Sequence, residues 1–270
     1  MILNGHIKNN ALVQLADMIN HSGNPNCEWV FNEQKNGLQI KALKEIERGD
    51  KITYSYGNKS NARYLLNYGF VVDQNYDDET LIPLQFDKQD VLYAKKLEFA
   101  GLKNELKIMK LQQVYDKFEN NKTYGFLRYI LIDDENVLLK LQDIHKKKME
   151  KEGSDLPYNP INTPPINLKI EQKMWATLNL ICFQQLQQYP QTLEEDYQQL
   201  KNTNLSSNQR NCLTIVTGEK EILFSMLSTS QLMIDLMSKE NKELLQSLKD
   251  PKYMPYANYL LKIVLGLLKK

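Results

Sequence analysis

The sequence predicts an α+β chain in which a strand-rich part, residues 1–88, precedes an all-helical part, residues 89–270. Three observations carry this. Short alternating runs separated by turn residues fill the first part. Two helix-start signals, Thr192-Leu-Glu-Glu195 and Ser206-Ser-Asn-Gln209, stand in the second. From Leu213 onward, Val216, Leu223 and Leu227 recur at helical spacing and give one buried face.

In chain order, residues 27–32 and 38–43 are expected to pair as a hairpin. Asn36-Gly37 between them tolerates the positive φ of a tight reversal. Leu38, Ile40 and Ala42 alternate with Gln39 and Lys41, the period of a half-buried strand. Gly49-Asp50 makes the next turn. Ile52, Tyr54 and Tyr56 then share one face of a second strand. A short helix follows, with Ser60 placed to cap it and Gly69 to end it. Residues 153–165 hold Pro157, Pro160, Pro164 and Pro165 and cannot sustain a helix. Lys146, Lys147 and Lys148, beside Glu150 and Glu152, read as a solvated helix face.

Composition narrows the function classes. Hydrophobic content of 42% and charged content of 25% are ordinary globular usage and argue against disorder. The net charge of +1 gives no overall basic excess for nucleic acid or an anionic membrane. The late apolar run, residues 259–268, is interrupted by Lys262, and no signal peptide is evident. Cys27, Cys182 and Cys212 form no C-x-x-C pair, and with His6, His21 and His145 they make no zinc-ligand cluster. The expectation is a soluble chain of a reducing compartment, cytosol or nucleus, without a metal.

Three blocks carry the chemistry. The first is Asp17-Met-Ile-Asn-His-Ser-Gly-Asn-Pro-Asn-Cys27. It resembles the motif of SET methyltransferases in which Asn-His-Ser is followed by Pro-Asn-Cys. The resemblance implies the C-terminal half of a β-rich SET fold and a pocket for S-adenosylmethionine. It implies that Asn20 contacts the methionine end of the cofactor and His21 the adenine, mainly through its backbone. The second block, Ile46-Glu-Arg-Gly-Asp-Lys-Ile-Thr-Tyr-Ser-Tyr56, resembles the turn and strand that deliver the family's catalytic tyrosine, which maps to Tyr56. Methyl transfer from a sulfonium is an in-line displacement by a neutral amine, so alignment supplies much of the barrier reduction. A phenol oxygen can hold the methyl by weak C–H···O contacts. An apolar, aromatic channel lowers the lysine pKa and favours the neutral amine.

The third block runs from Asn58 through Lys-Ser-Asn-Ala to Tyr68-Gly-Phe-Val71. It is similar to the Rubisco large-subunit methyltransferase family and its animal relatives, which include lysine and actin-histidine methyltransferases. By that likeness Phe70 packs on adenine. Tyr68 and Tyr54 wall the target-residue channel, and Asp17 touches the substrate. Tyr189-Pro-Gln-Thr-Leu-Glu-Glu-Asp196, residues 205–210 and 218–223, and Trp175 resemble the helical substrate-binding domain that follows SET in this family. The implied activity is methylation of a protein side chain, lysine Nζ of a non-histone protein by default, with histidine as the alternative.

In that family a long N-terminal portion with a Gly-rich cofactor segment precedes Asn-His-Ser. Here no Gly-x-Gly stands before Asp17, so the chain reads as N-terminally incomplete. Three readings account for this: a fragment, a second polypeptide that supplies the missing segment, or a non-catalytic protein-interaction module.

Overall fold

The structure, a computed structural model, describes residues 2–3, 7–8, 13–103, 106–112 and 121–261. His6 and the end of the apolar run, residues 262–268, lie outside them. The chain divides into two compact units, Met1–Ser60 and Asn61–Lys270. The segment 61–88, assigned by sequence to the strand-rich part, therefore packs with the helices.

The first unit is built from short strands. β1 (Ile2–Leu3) pairs antiparallel with β2 (Ile7–Lys8). A 3-10 turn at Ala16–Met18 leads into β3 (Asn20–His21). β4 (Cys27–Asn32) and β5 (Gly37–Ala42) form the expected hairpin, with Trp29 opposite Ile40. Asn36 takes the reversal at φ 43°. β6 (Thr53–Tyr54) pairs parallel with β3, Asn20 opposite Thr53 and His21 opposite Tyr54. This strand is shorter than its alternation suggests, and Ile52 is exposed rather than facing a core. The ladder stops because the Tyr56 N–H donates to the His21 ring, and Gly57 then turns at φ 88°.

The second unit opens with α1 (Asn61–Tyr68). Its first N–H donates to Asp78 Oδ1 at 2.9 Å, and Gly69 at φ 79° ends it. β7 (Thr80–Gln85) follows, buried at alternate residues. After α2 (Tyr93–Phe99), the expectation of helix alone fails at β8 (Leu106–Leu111), which pairs antiparallel with β7. The physical reason is local: six residues are too few for a stable helix, and Met109 and Leu111 extend the buried face begun by Ile82 and Leu84.

Helices make up the rest of the described unit. They are α3 (Lys122–Ile130), α4 (Glu135–Glu152), α5 (Leu168–Leu186), α6 (Leu193–Leu200), α7 (Ser207–Met237), α8 (Asn241–Ser247) and α9 (Met254–Leu260). Both capping boxes form as read, at Thr192 and Ser206. The proline-rich stretch is a loop with one 3-10 turn at Pro160–Asn162. Lys147 and Lys148 lie exposed and pair with Asp143 and Glu152. No described helix is long and apolar enough to cross a membrane.

α5 packs along α7, burying Met174, Trp175, Leu178 and Cys182 with Leu223, Met226 and Met233. Inside this core lies a fully buried ion pair. Arg128 donates from Nε and Nη2 to the two oxygens of Glu171, at 2.7 and 3.1 Å. The Tyr259 hydroxyl donates to Glu171 at 2.6 Å, and the Trp175 indole donates to that hydroxyl at 2.8 Å. Arg128 also reaches the Thr163 carbonyl at 3.4 Å. Three helices and the proline loop are thus tied to one charge pair. Replacing Arg128 by Met strands the Glu171 carboxylate and is expected to lower the unfolding free energy by about 3–5 kcal/mol, measured by urea denaturation. A loss below about 1 kcal/mol, as for an exposed pair, would contradict this role.

Candidate active site

The first and second sequence blocks meet in the first unit through one buried side chain, Asn26. Its Nδ2 donates to the Lys51 carbonyl at 2.9 Å, and its Oδ1 accepts the Thr53 N–H at 2.8 Å. Its own carbonyl accepts the Leu43 N–H at 2.8 Å. One residue therefore fixes the end of the β4–β5 hairpin against β6. Asn26 sits in the Pro-Asn-Cys motif, but sequence reading gave it no role. The signal available was a side-chain amide, whose oxygen and NH2 can satisfy an N–H and a carbonyl at once.

With β6 held, the candidate residues converge. The Ser22 N–H donates to the Tyr54 carbonyl at 3.1 Å, continuing the pairing of β3 and β6. The Tyr56 N–H donates to His21 Nδ1 at 3.1 Å, and the Tyr56 hydroxyl donates to the Ile19 carbonyl at 2.8 Å. The Tyr56 ring lies 5.2 Å from that of His21 and 5.1 Å from that of Tyr54. Lys59 donates its ammonium to the Tyr56 carbonyl. Asn20 is exposed, and its side chain makes no hydrogen bond among the described residues.

Asp17 and Tyr54, both expected at a substrate channel, line one depression of about 140 Å³. Trp29, Leu38 and Ile40 form its apolar side. Asp17 is held in place by its own turn, its Oδ2 accepting the Val13 N–H at 2.5 Å. Trp29 was not singled out by sequence; its signal was a large apolar residue on the exposed face of a short hairpin.

Tyr68 and Phe70 belong to the second unit. There they cluster with Tyr64, which is buried and which sequence reading also missed. Phe70 stacks on Tyr64 at 5.3 Å, and Tyr68 lies 6.1 Å from Phe70 and half exposed. Asn61 supports this end of the chain, its side chain exchanging two hydrogen bonds with the Val72 backbone at 2.8 and 2.9 Å.

A parallel strand pair carrying Asn-His against Thr-Tyr, with a tyrosine folded over the histidine, is a SET-type arrangement, and comparison with known proteins agrees. The SET domain model matches residues 2–57, and the Rubisco LSMT substrate-binding model matches residues 83–223. The chain belongs to the family of SET-domain proteins that carry a Rubisco LSMT substrate-binding region. It is 28% identical over 237 residues to the actin-histidine N-methyltransferase of Rattus norvegicus, covering 86% of this chain and 38% of that protein. The human protein of the same name is 29% identical over 217 residues, covering 79% of this chain and 35% of the relative. The chain thus spans well under half the length of these relatives. Rubisco LSMT bound to sinefungin and monomethyllysine superposes with a TM-score of 0.62 at 20% identity, over 88% of this chain and 57% of that one. Rubisco LSMT bound to AdoMet gives 0.61 at 19%, with the same coverage.

The His21 imidazole is held below its ordinary 6.5, first by burial and then by the positive charge of Lys59, against a backbone hydrogen bond to Tyr54. Acceptance of the Tyr56 N–H at Nδ1 requires the neutral ring. The folded state therefore binds fewer protons than the unfolded chain between the depressed value and about 6.5. His21 stabilises the fold above about pH 6.5, and this contribution is lost as pH falls through the folded-state value. Proton NMR of the His21 ring is expected to show a midpoint below 6.5. A midpoint at or above 6.5 would contradict the contact geometry.

Proposed function

We propose that this chain takes part in methyl transfer from S-adenosylmethionine to a protein side chain, the target being lysine Nζ of a non-histone protein. The observation that carries the reading is the convergence of His21, Tyr54 and Tyr56, held by Asn26, beside a depression lined by Asp17 and Tyr54. The first unit fits part of the cofactor: the amide of Asn20, with no side-chain hydrogen bond among the described residues, suits a zwitterionic amino-acid head. The His21 ring accepts the Tyr56 N–H, in keeping with an adenine contact made mainly through its backbone, as the family likeness implies. When bound, S-adenosylmethionine supplies an electrophilic methyl on a sulfonium.

The chain's own groups then orient and desolvate. Tyr56, anchored by its hydroxyl at the Ile19 carbonyl, keeps a phenol oxygen at the end of β3. It is the proposed catalytic residue. Tyr54 and Asp17 wall the target side chain. The apolar side at Trp29, Leu38 and Ile40 disfavours the ammonium and releases the amine lone pair. Residues 1–88 supply the SET part in this reading, and residues 89–270 the helical part that engages the protein substrate. The setting is cytosol or nucleus, with no role for nucleic acid or membrane.

Two further readings stand beside it. In one, the target is histidine, which is favoured by the rat and human relatives described above, both named actin-histidine N-methyltransferases. A neutral imidazole is already nucleophilic near pH 7, since its reference pKa is about 6.5. In the other, the chain is an interaction module that binds a protein through its helices and transfers no methyl.

Calorimetric titration with S-adenosylmethionine separates module from enzyme: binding is expected, and its absence would remove the enzymatic reading for this chain. With turnover established, Tyr56→Phe is expected to lower it by roughly a hundredfold, an orientation loss, while cofactor affinity is kept. Unchanged turnover would remove Tyr56 from the mechanism. Mass spectrometry of the methylated protein decides lysine against histidine.

A further inference from the structure

The face that α5 and α7 jointly turn outward is built from two uncharged runs. Residues 174–193 hold no Asp, Glu, Lys, Arg or His, and neither do residues 222–234. Charged residues make up 25% of the chain, so the meeting of two such runs on one surface is a departure from its ordinary solvent faces. α4 shows the ordinary pattern, with Lys140, Asp143, Lys147 and Glu152 all exposed.

Burial alone does not explain the runs. Leu180, Phe183 and Phe224 are 54%, 51% and 42% exposed. Leu180, Phe183 and Gln187 recur at helical spacing and share one side of α5. The Asn179 amide donates to the Leu227 carbonyl at 3.2 Å and to Ser230 Oγ at 3.0 Å, which sets α7 beside that stripe. Phe224 and Gln187 line one depression of about 230 Å³ with Leu186, Tyr189 and Pro190. The charged residue of that lining, Lys220, is spent inside the protein on Asp196, the Gln191 carbonyl and the Tyr189 ring.

Three properties suit this face to a copy of itself. A two-fold axis sets a patch against the same patch, so a charge near the axis meets its like; an uncharged patch escapes that repulsion. The exposed side chains of Gln184 and Gln187 each carry donor and acceptor, so an amide can pair with an identical amide. The face also holds a projecting ring, Phe183, one helical turn from a hollow. A cavity of about 150 Å³ already accepts benzene, so this depression has room for a phenyl ring. A strongly charged partner would find no opposite charge here.

We propose that the α5–α7 face is a self-association surface, on which a second copy of this chain packs about a two-fold axis with each Phe183 seated in the other copy's depression beside Phe224. The proposal does not rest on the methyl-transfer reading. The exposed stripe from Ala176 to Gln187 rises only about 17 Å, and a patch of that length falls at the small, transient end of specific interfaces. The association is therefore weak and concentration-dependent.

Sedimentation velocity of the whole chain tests this over roughly 1–200 µM. A shift from monomer to dimer is expected, kept or strengthened at high salt because no ion pair holds it. Phe183→Glu and Phe224→Lys are each expected to weaken self-association by roughly tenfold or more, with helical circular dichroism retained since both rings are exposed. Mixing the two variants should restore the dimer, because the mixed pair has one Glu–Lys contact and one native Phe–Phe contact. A chain that stays monomeric throughout leaves the face to another protein and overturns the proposal. So does a dimer that salt dissociates, one that neither variant weakens, or one that mixing does not restore.

Discussion

The side-chain amide of Asn26 holds together the segments on which the first unit's chemistry depends. β3 and β6 contribute two residues each, far below the length at which strands are stable alone. Their parallel register therefore needs an external clamp. Asn26 provides it by satisfying the Lys51 carbonyl and the Thr53 N–H at once. The remaining contacts follow from that register. Ser22 reaches the Tyr54 carbonyl, His21 accepts the Tyr56 N–H, and Tyr56 swings its hydroxyl onto Ile19. Each net hydrogen bond of this kind contributes only about 1 kcal/mol. The value of the arrangement lies in geometry: three rings and one imidazole tautomer are set by a single buried amide.

The second unit rests on a different economy. Its buried charges are neutralised in place, Arg128 by Glu171 and Lys220 by Asp196, and the partners come from different helices. A buried ion pair adds little net stability against an apolar alternative, but breaking it is costly. Such pairs fix which helix faces which.

Local signals were legible in the sequence and distant ones were not. The β4–β5 hairpin, both capping boxes, the end of α1 at Gly69 and the proline loop all depend on residues within a few positions of one another. The length of β6 did not yield to the same reading, because alternation at Ile52, Tyr54 and Tyr56 says nothing of a histidine that captures the Tyr56 N–H across 35 positions. β8 was hidden for a similar reason, since its partner β7 lies across α2. The links from Arg128 to Glu171 and from Trp175 to Tyr259 span 43 and 84 positions. Of the candidate site, the motif named Asn20, His21, Tyr54 and Tyr56, and the fold brings three of their rings together. Asp17 and Tyr54 share a depression, whereas the buried clamp Asn26 and the apolar wall at Trp29 emerged only in three dimensions.

The claim that Asn26 sets the site's geometry is tested most directly by amide hydrogen exchange of Thr53 and Tyr56 in the native chain and in Asn26→Ala. Thr53 donates to Asn26 itself, whereas Tyr56 donates to His21, which Asn26 does not touch. The account predicts that protection falls at both amides together, with the β4–β5 ladder retained. Loss at Thr53 with full protection at Tyr56 would show that the histidine–tyrosine contact stands without the clamp, and would contradict it.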